Sequence, residues 1–100
     1  MHETIATQAQ MDTNIKWNNA SRDQRESMLA EYWSKKLGIP VEDIEIKGAG
    51  KSGKYKVRWR GEDGEFVDWE KHETKETLKG LADLQASDYE VDTEILQSHL

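Results

Sequence analysis

The chain has 100 residues, no cysteine, 35% hydrophobic and 34% charged residues, and a formal net charge of −6. This is enough for one small domain with a modest core. It excludes a disulfide framework and a thiolate site, and no apolar run approaches the roughly 20 residues of a membrane helix. The opening Met1-His2-Glu3-Thr4 lacks a basic stretch followed by an apolar one, so no secretory signal is expected and a cytoplasmic protein is.

In chain order, residues 1–20 are polar and without periodicity and read as a flexible arm from which Ile15 and Trp17 can dock on the domain. Ser21 with Gln24 three residues on is a capping-box pattern. Met28, Leu29, Tyr32, Trp33 and Leu37 then recur at helical spacing, and Gly38, Ile39 and Pro40 supply the closing signals. Ile44 to Ile46 reads as a short strand, followed by a loop containing Gly48, Gly50 and Gly53. In the next strand Tyr55, Val57 and Trp59 alternate with Lys54, Lys56, Arg58 and Arg60.

Glu62-Asp63-Gly64 reads as a hairpin turn with Gly64 left-handed, and Glu65 to Glu70 as the third strand. That register sets Trp59 opposite Val67 and Val57 opposite Trp69. On the other face it sets Arg60 opposite Phe66, Arg58 opposite Asp68 and Lys56 opposite Glu70, matching apolar with apolar and base with acid. A second helix spans about 74–85, with Leu78, Leu81, Ala82 and Leu84 on its apolar side. Gly80 inside it costs roughly 1 kcal/mol relative to alanine and points to close packing there. In the tail, Asp92 can cap a short helix, with Val91 and Leu96 at staple positions.

The expected fold is α+β, in the order α-β-β-β-α. A three-stranded antiparallel sheet packs under two helices and buries Tyr55, Val57, Trp59, Val67 and Trp69, with its other face charged and wet. The domain covers 21–86, between the flexible arm 1–20 and an acidic tail 87–100. Lys47 to Arg60 holds six bases (Lys47, Lys51, Lys54, Lys56, Arg58, Arg60) and no acid. Most of the excess negative charge lies outside the central domain, in Glu3, Asp12, Asp88, Glu90, Asp92 and Glu94. The basic strand is therefore either half of an internally neutralised sheet, paired with Asp68 and Glu70, or a footprint for a polyanion.

Leu29-Ala-Glu31-Tyr32-Trp-Ser-Lys35-Lys36-Leu37-Gly38, the Gly48–Trp59 loop and strand, and Thr74-Lys75-Glu76-Thr77-Leu78-Lys79 together resemble the double-stranded RNA-binding domain over residues 22–85. The resemblance implies the α-β-β-β-α fold and shape-directed recognition of duplex RNA. Glu31, with Lys35 nearby, would face 2′-hydroxyls of one minor groove, and Lys51 with its loop the next. Lys75 and Lys79 would lie over the intervening phosphates, and Lys54 joins this set. The chain departs from the family at Gly48-Ala49-Gly50-Lys51, where a Gly-Pro-His segment is usual, and at Glu76, where a second lysine is usual. Lys54 to Leu84 is also similar to the arm-binding N-terminal domains of tyrosine recombinases, which lay a three-stranded sheet in a DNA major groove. That similarity implies Lys54, Lys56, Arg58 and Arg60 as reading residues, with Phe66 on the same face.

No chemistry of catalysis is signalled. His2, His72 and His99 lack metal-ligand spacing, no carboxylate pair or nucleophile motif is present, and Gly48-Ala-Gly-Lys-Ser lacks the earlier glycine of a phosphate loop. No cofactor, metal or small-molecule substrate is expected. The leading expectation is a non-catalytic module for duplex nucleic acid, RNA ahead of DNA. The alternative is a protein-interaction or inhibitor module, of the kind found among phage or mobile-element accessory proteins. Its acidic tail, with Asp88, Tyr89, Glu90, Asp92, Ile95 and Leu96, would contact the partner. A sheet-based DNA binder is the third reading.

Overall fold

The structure, a computed structural model, describes residues 3–98, with side chains described for 7–87. Among the described residues the chain forms helices α1 (Glu3–Asn19), α2 (Arg22–Leu37) and α3 (Thr74–Ser98). It also forms strands β1 (Ile44–Lys47), β2 (Lys54–Trp59) and β3 (Glu70–Glu73). The sheet is antiparallel in the order β1-β2-β3. The expected α-β-β-β-α order is thus present from α2 to α3, with a further helix before it.

Helix α2 follows its sequence signals. Ser21 Oγ accepts from the Gln24 backbone amide while Gln24 Oε1 accepts from the Ser21 amide, so each orphan donor has a partner. Gly38 closes the helix at φ 70°, a left-handed conformation in which a side chain would be strained. Met28, Leu29 and Trp33 are buried on the sheet-facing side; Tyr32 and Leu37 are half-buried around them.

The N-terminal segment is a helix rather than a flexible arm. Its buried stripe consists of Ala9, Thr13 and Trp17, four residues apart. Thr13 Oγ1 donates to Gln85 Oε1 of α3 at 3.0 Å, and the Trp17 indole donates to the Lys51 carbonyl at 2.9 Å. The last turn is secured by Arg25 Nε, which donates to the Trp17 carbonyl at 3.1 Å. Trp17 is 1% exposed, whereas Ile15, the other expected docking residue, is 57% exposed. A helix with so narrow an apolar stripe gets its stability from tertiary packing rather than from its own periodicity.

Helix α3 runs on to Ser98, past the expected end near residue 85. Asp92 therefore lies inside a continuous helix and not at the start of a separate one. The expected tight packing at Gly80 is present: a Cβ there would come within 2.6 Å of Tyr32 Cε2.

The core lies between the helices and the inner sheet face, with Tyr55 and Val57 of β2 at its centre. The Trp33 ring stacks on Trp59 at 6.2 Å. A polar chain runs through this core. Trp33 Nε1 donates to the Tyr55 hydroxyl at 2.9 Å, that hydroxyl shares a short hydrogen bond with Thr77 Oγ1, and Thr77 Oγ1 donates to the Glu73 carbonyl. Burial pushes the Tyr55 hydroxyl above its ordinary pKa of 10.0, while its bonds to Thr77 and Trp33 pull the other way.

Candidate nucleic-acid interface

The hairpin starts in the expected register. Gly61 N donates to the Glu65 carbonyl at 2.8 Å, Arg60 bridges Phe66, and Val67 N donates to the Trp59 carbonyl at 2.9 Å. Gly64 is left-handed at φ 82°. Further from the turn the register changes by one: Val57 pairs with Glu70, Lys56 with Lys71, Tyr55 with His72 and Lys54 with Glu73. Asp68 and Trp69 together stand opposite Arg58, a β-bulge. The third strand is accordingly Glu70–Glu73 rather than Glu65–Glu70.

One extra residue reverses which side chains face the core. Trp69, expected in the core, stands on the outer face, where it is half-buried. His72 takes the inner position and packs on Trp33 at 4.6 Å, with Glu70 Oε1 3.0 Å from its Nε2. The expected Lys56–Glu70 pair is replaced by Lys56–Lys71. Because β1 sets Lys47 opposite Lys56 on the other side, three lysines form one row across all three strands. Among the described residues none of the three is joined to a carboxylate.

The next rows are ordered by aromatic rings. The Lys47 Nζ lies 4.4 Å from the Trp69 ring centroid. The Arg58 guanidinium lies between Trp69 at 4.6 Å and Phe66 at 4.3 Å, and that of Arg60 lies 4.4 Å from Phe66. Cation and ring alternate along the sequence Lys47, Trp69, Arg58, Phe66, Arg60. Each such contact is worth about 0.5–1 kcal/mol at an exposed site, and together they hold three cations in line. Arg58 is also bonded through Nε to Glu45 Oε1 at 2.6 Å, and Asp43 lies 4.0 Å from Arg60. The acids of this face thus sit with the arginines and at Lys54, opposite Glu73, and leave the lysine row unneutralised.

The residues expected to contact RNA are divided by α1. Lys51, Lys75 and Lys79 line one cleft of about 460 Å³ together with Gln10 and Asn14 of α1. Glu31 and Lys35 line another cleft with Thr13 and Lys16 of the same helix. Lys54 belongs to the outer sheet face with Lys56, Arg58, Arg60 and Phe66, as the sheet reading expects. Asp88, Tyr89, Glu90, Asp92, Ile95 and Leu96 fall within α3, but their side chains lie outside the described residues. Trp69 and Lys71 are members of the outer face that sequence reasoning missed, and Lys47, counted among the six bases, was not assigned to that face. Lys47 shares the parity of Glu45 in β1 and was legible from the two-residue period. Trp69 and Lys71 depend on the bulge, which has no glycine to mark it.

Among the described residues no helix is long and apolar enough to cross a membrane. Comparison of the chain with protein-family models, curated proteins and solved structures gives no match in any of the three.

Proposed function

We propose that this chain is a non-catalytic nucleic-acid-binding module that docks through the outer face of its three-stranded sheet. The observation that carries this reading is the lysine row Lys47, Lys56 and Lys71. Like charges directly opposite one another destabilise a sheet, and phosphates laid across the row would relieve that repulsion and release counterions. The ring-supported Arg58 and Arg60 extend the cationic surface along the strands.

Duplex rather than single strand is the favoured ligand. A base-stacking platform needs open aromatic faces, whereas Phe66 and Trp69 are engaged by cations. A three-stranded sheet is roughly 10 Å between its outer strands at the usual spacing, comparable with the roughly 12 Å width of a B-form major groove. Side chains cannot enter the narrow major groove of A-form RNA, so this geometry favours DNA over RNA, reversing the order that the RNA-binding resemblance implies.

The test is a titration against duplex DNA and duplex RNA at about 50 and 200 mM salt, where phosphate-dominated binding weakens steeply. Lys56→Glu and Arg58→Glu are expected to weaken DNA binding strongly, and Lys35→Glu to have little effect. Absence of binding to either duplex at the lower salt would reject the proposal. RNA preference with sensitivity at Lys35 and none at Lys56 would return the site to the helices.

A further inference from the structure

The cleft between α1, the β1–β2 loop and the start of α3 is a second cationic site, of a different kind. It is lined by Lys51, Lys75 and Lys79 with Gln10, Asn14, Ser52 and Thr74, and among the described residues by no carboxylate, in a chain whose net charge is −6. Leu78 and Ala82 supply an apolar wall. Its volume of about 460 Å³ is in the range of small-molecule sites, which combine apolar walls with a few placed polar groups.

Two features make this more than a group of surface lysines. The loop is held in place from both sides: the Trp17 indole donates to the Lys51 carbonyl at 2.9 Å, and the Thr74 amide donates to the Gly53 carbonyl at 2.9 Å. Thr74, at the first turn of α3, is 2% exposed, and its Oγ1 has no hydrogen-bond partner. A buried hydroxyl without a partner is unusual, and it stands here at the positive end of a 25-residue helix. Glu76, also in that first turn, does not line the cleft.

We infer that this cleft binds the phosphate group of a small phosphorylated molecule, with Lys51, Lys75 and Lys79 around the phosphate, the Thr74 hydroxyl as a further donor, and the apolar body of the ligand on Leu78 and Ala82. The arrangement differs from a phosphate loop, since Lys51 and Ser52 precede a strand. It also differs from an open ridge for a nucleic-acid backbone, because α1 closes one side with Gln10 and Asn14. It does not depend on the sheet reading, whose residues lie on the outer face.

The test uses the full chain and three probes: inorganic phosphate, adenosine 5′-monophosphate and adenosine. Amide chemical shifts are followed by NMR on titration. The expected result is saturable change at residues 51–53 and 74–79 with phosphate and with the monophosphate, tighter for the monophosphate, and none with adenosine. Lys75→Gln with Lys79→Gln should weaken binding at least about tenfold, the scale of losing charge-assisted hydrogen bonds. Lys56→Gln on the sheet should leave it unchanged. Thr74→Val is expected to retain the fold and lower the phosphate affinity. No saturable change at those amides, or shifts spread equally over Lys35 and Lys36, would overturn the inference, as would equal binding of adenosine.

Discussion

Lys71→Glu separates the cost of the lysine row from its use. In the folded chain Lys71 stands directly opposite Lys56, which has Lys47 on its other side. The substitution removes one like-charge pair and installs an opposite-charge pair at the same position. Each cross-strand term is a few tenths of a kcal/mol up to about 1, and solvent exposure keeps it at the lower end. Stability should therefore rise by about 0.5–1 kcal/mol, read as a higher urea midpoint at unchanged slope. Duplex DNA binding should move the other way. Losing one phosphate contact lowers the slope of log K against log salt by about 0.9, so fourfold more salt should cost the variant about 3.5-fold less affinity than it costs the parent. A variant that is less stable than the parent would refute the pairing of Lys71 with Lys56. One that is more stable but binds DNA with the parent's affinity and salt slope would refute the role given to the row.

Two further outcomes test the core. Gly80→Ala should destabilise by about 1 kcal/mol, because overpacking costs about 1–3 kcal/mol and the helix-propensity gain returns only about 1. In a Tyr32→Leu background, which removes the ring that the new methyl would meet at 2.6 Å, the same change should become stabilising, a sign reversal read from paired urea melts. Tyr55 has its hydroxyl pKa raised in the folded state, above the ordinary 10.0 of the unfolded chain. Its neutral form therefore contributes stability fully present below about pH 10, and that stability is lost as pH rises through the folded pKa. Thermal melts from pH 8 to 11 should show this fall, and a curve flat through that range would contradict it.

How much of this was legible in the sequence depends on whether a residue's role was set locally. Ser21, Gln24 and Gly38 act within a few residues of their own position, and α2 begins and ends where they direct. The turn at Gly64 was equally readable, as was the parity of Tyr55, Val57 and Trp59. Helix α1 was not, because its buried stripe of Ala9, Thr13 and Trp17 contains only one large apolar residue and is held by partners more than thirty residues away. The bulge was hidden for a related reason. Trp69 at the inner position is the better choice by hydrophobicity, and what favours the observed arrangement is long-range: the packing of His72 on Trp33 and Tyr55, and of Lys47 and Arg58 on Trp69. The candidate site inherited that error in part: the β2 bases were placed on the correct face and Arg60 opposite Phe66, but Lys56 was given Glu70 as its partner in place of Lys71.

The bulge has a consequence for how this surface could vary. The segment after the hairpin is anchored at one end by the turn at Gly64 and at the other by the Thr74 amide on the Gly53 carbonyl. Between these anchors lies one residue more than a regular ladder can hold. The pairing of Lys56 with Lys71 is therefore set from the Thr74 anchor, and the bulge takes up the difference from the register set at the turn. Shortening the stretch from Val67 to Trp69 by a single residue would allow a regular ladder through to Glu73 while leaving every basic side chain in the chain untouched. Lengthening it could be absorbed as a wider bulge. The hairpin thus contains a point of slack, where a residue can be gained or lost without changing which side chains meet across the lysine row.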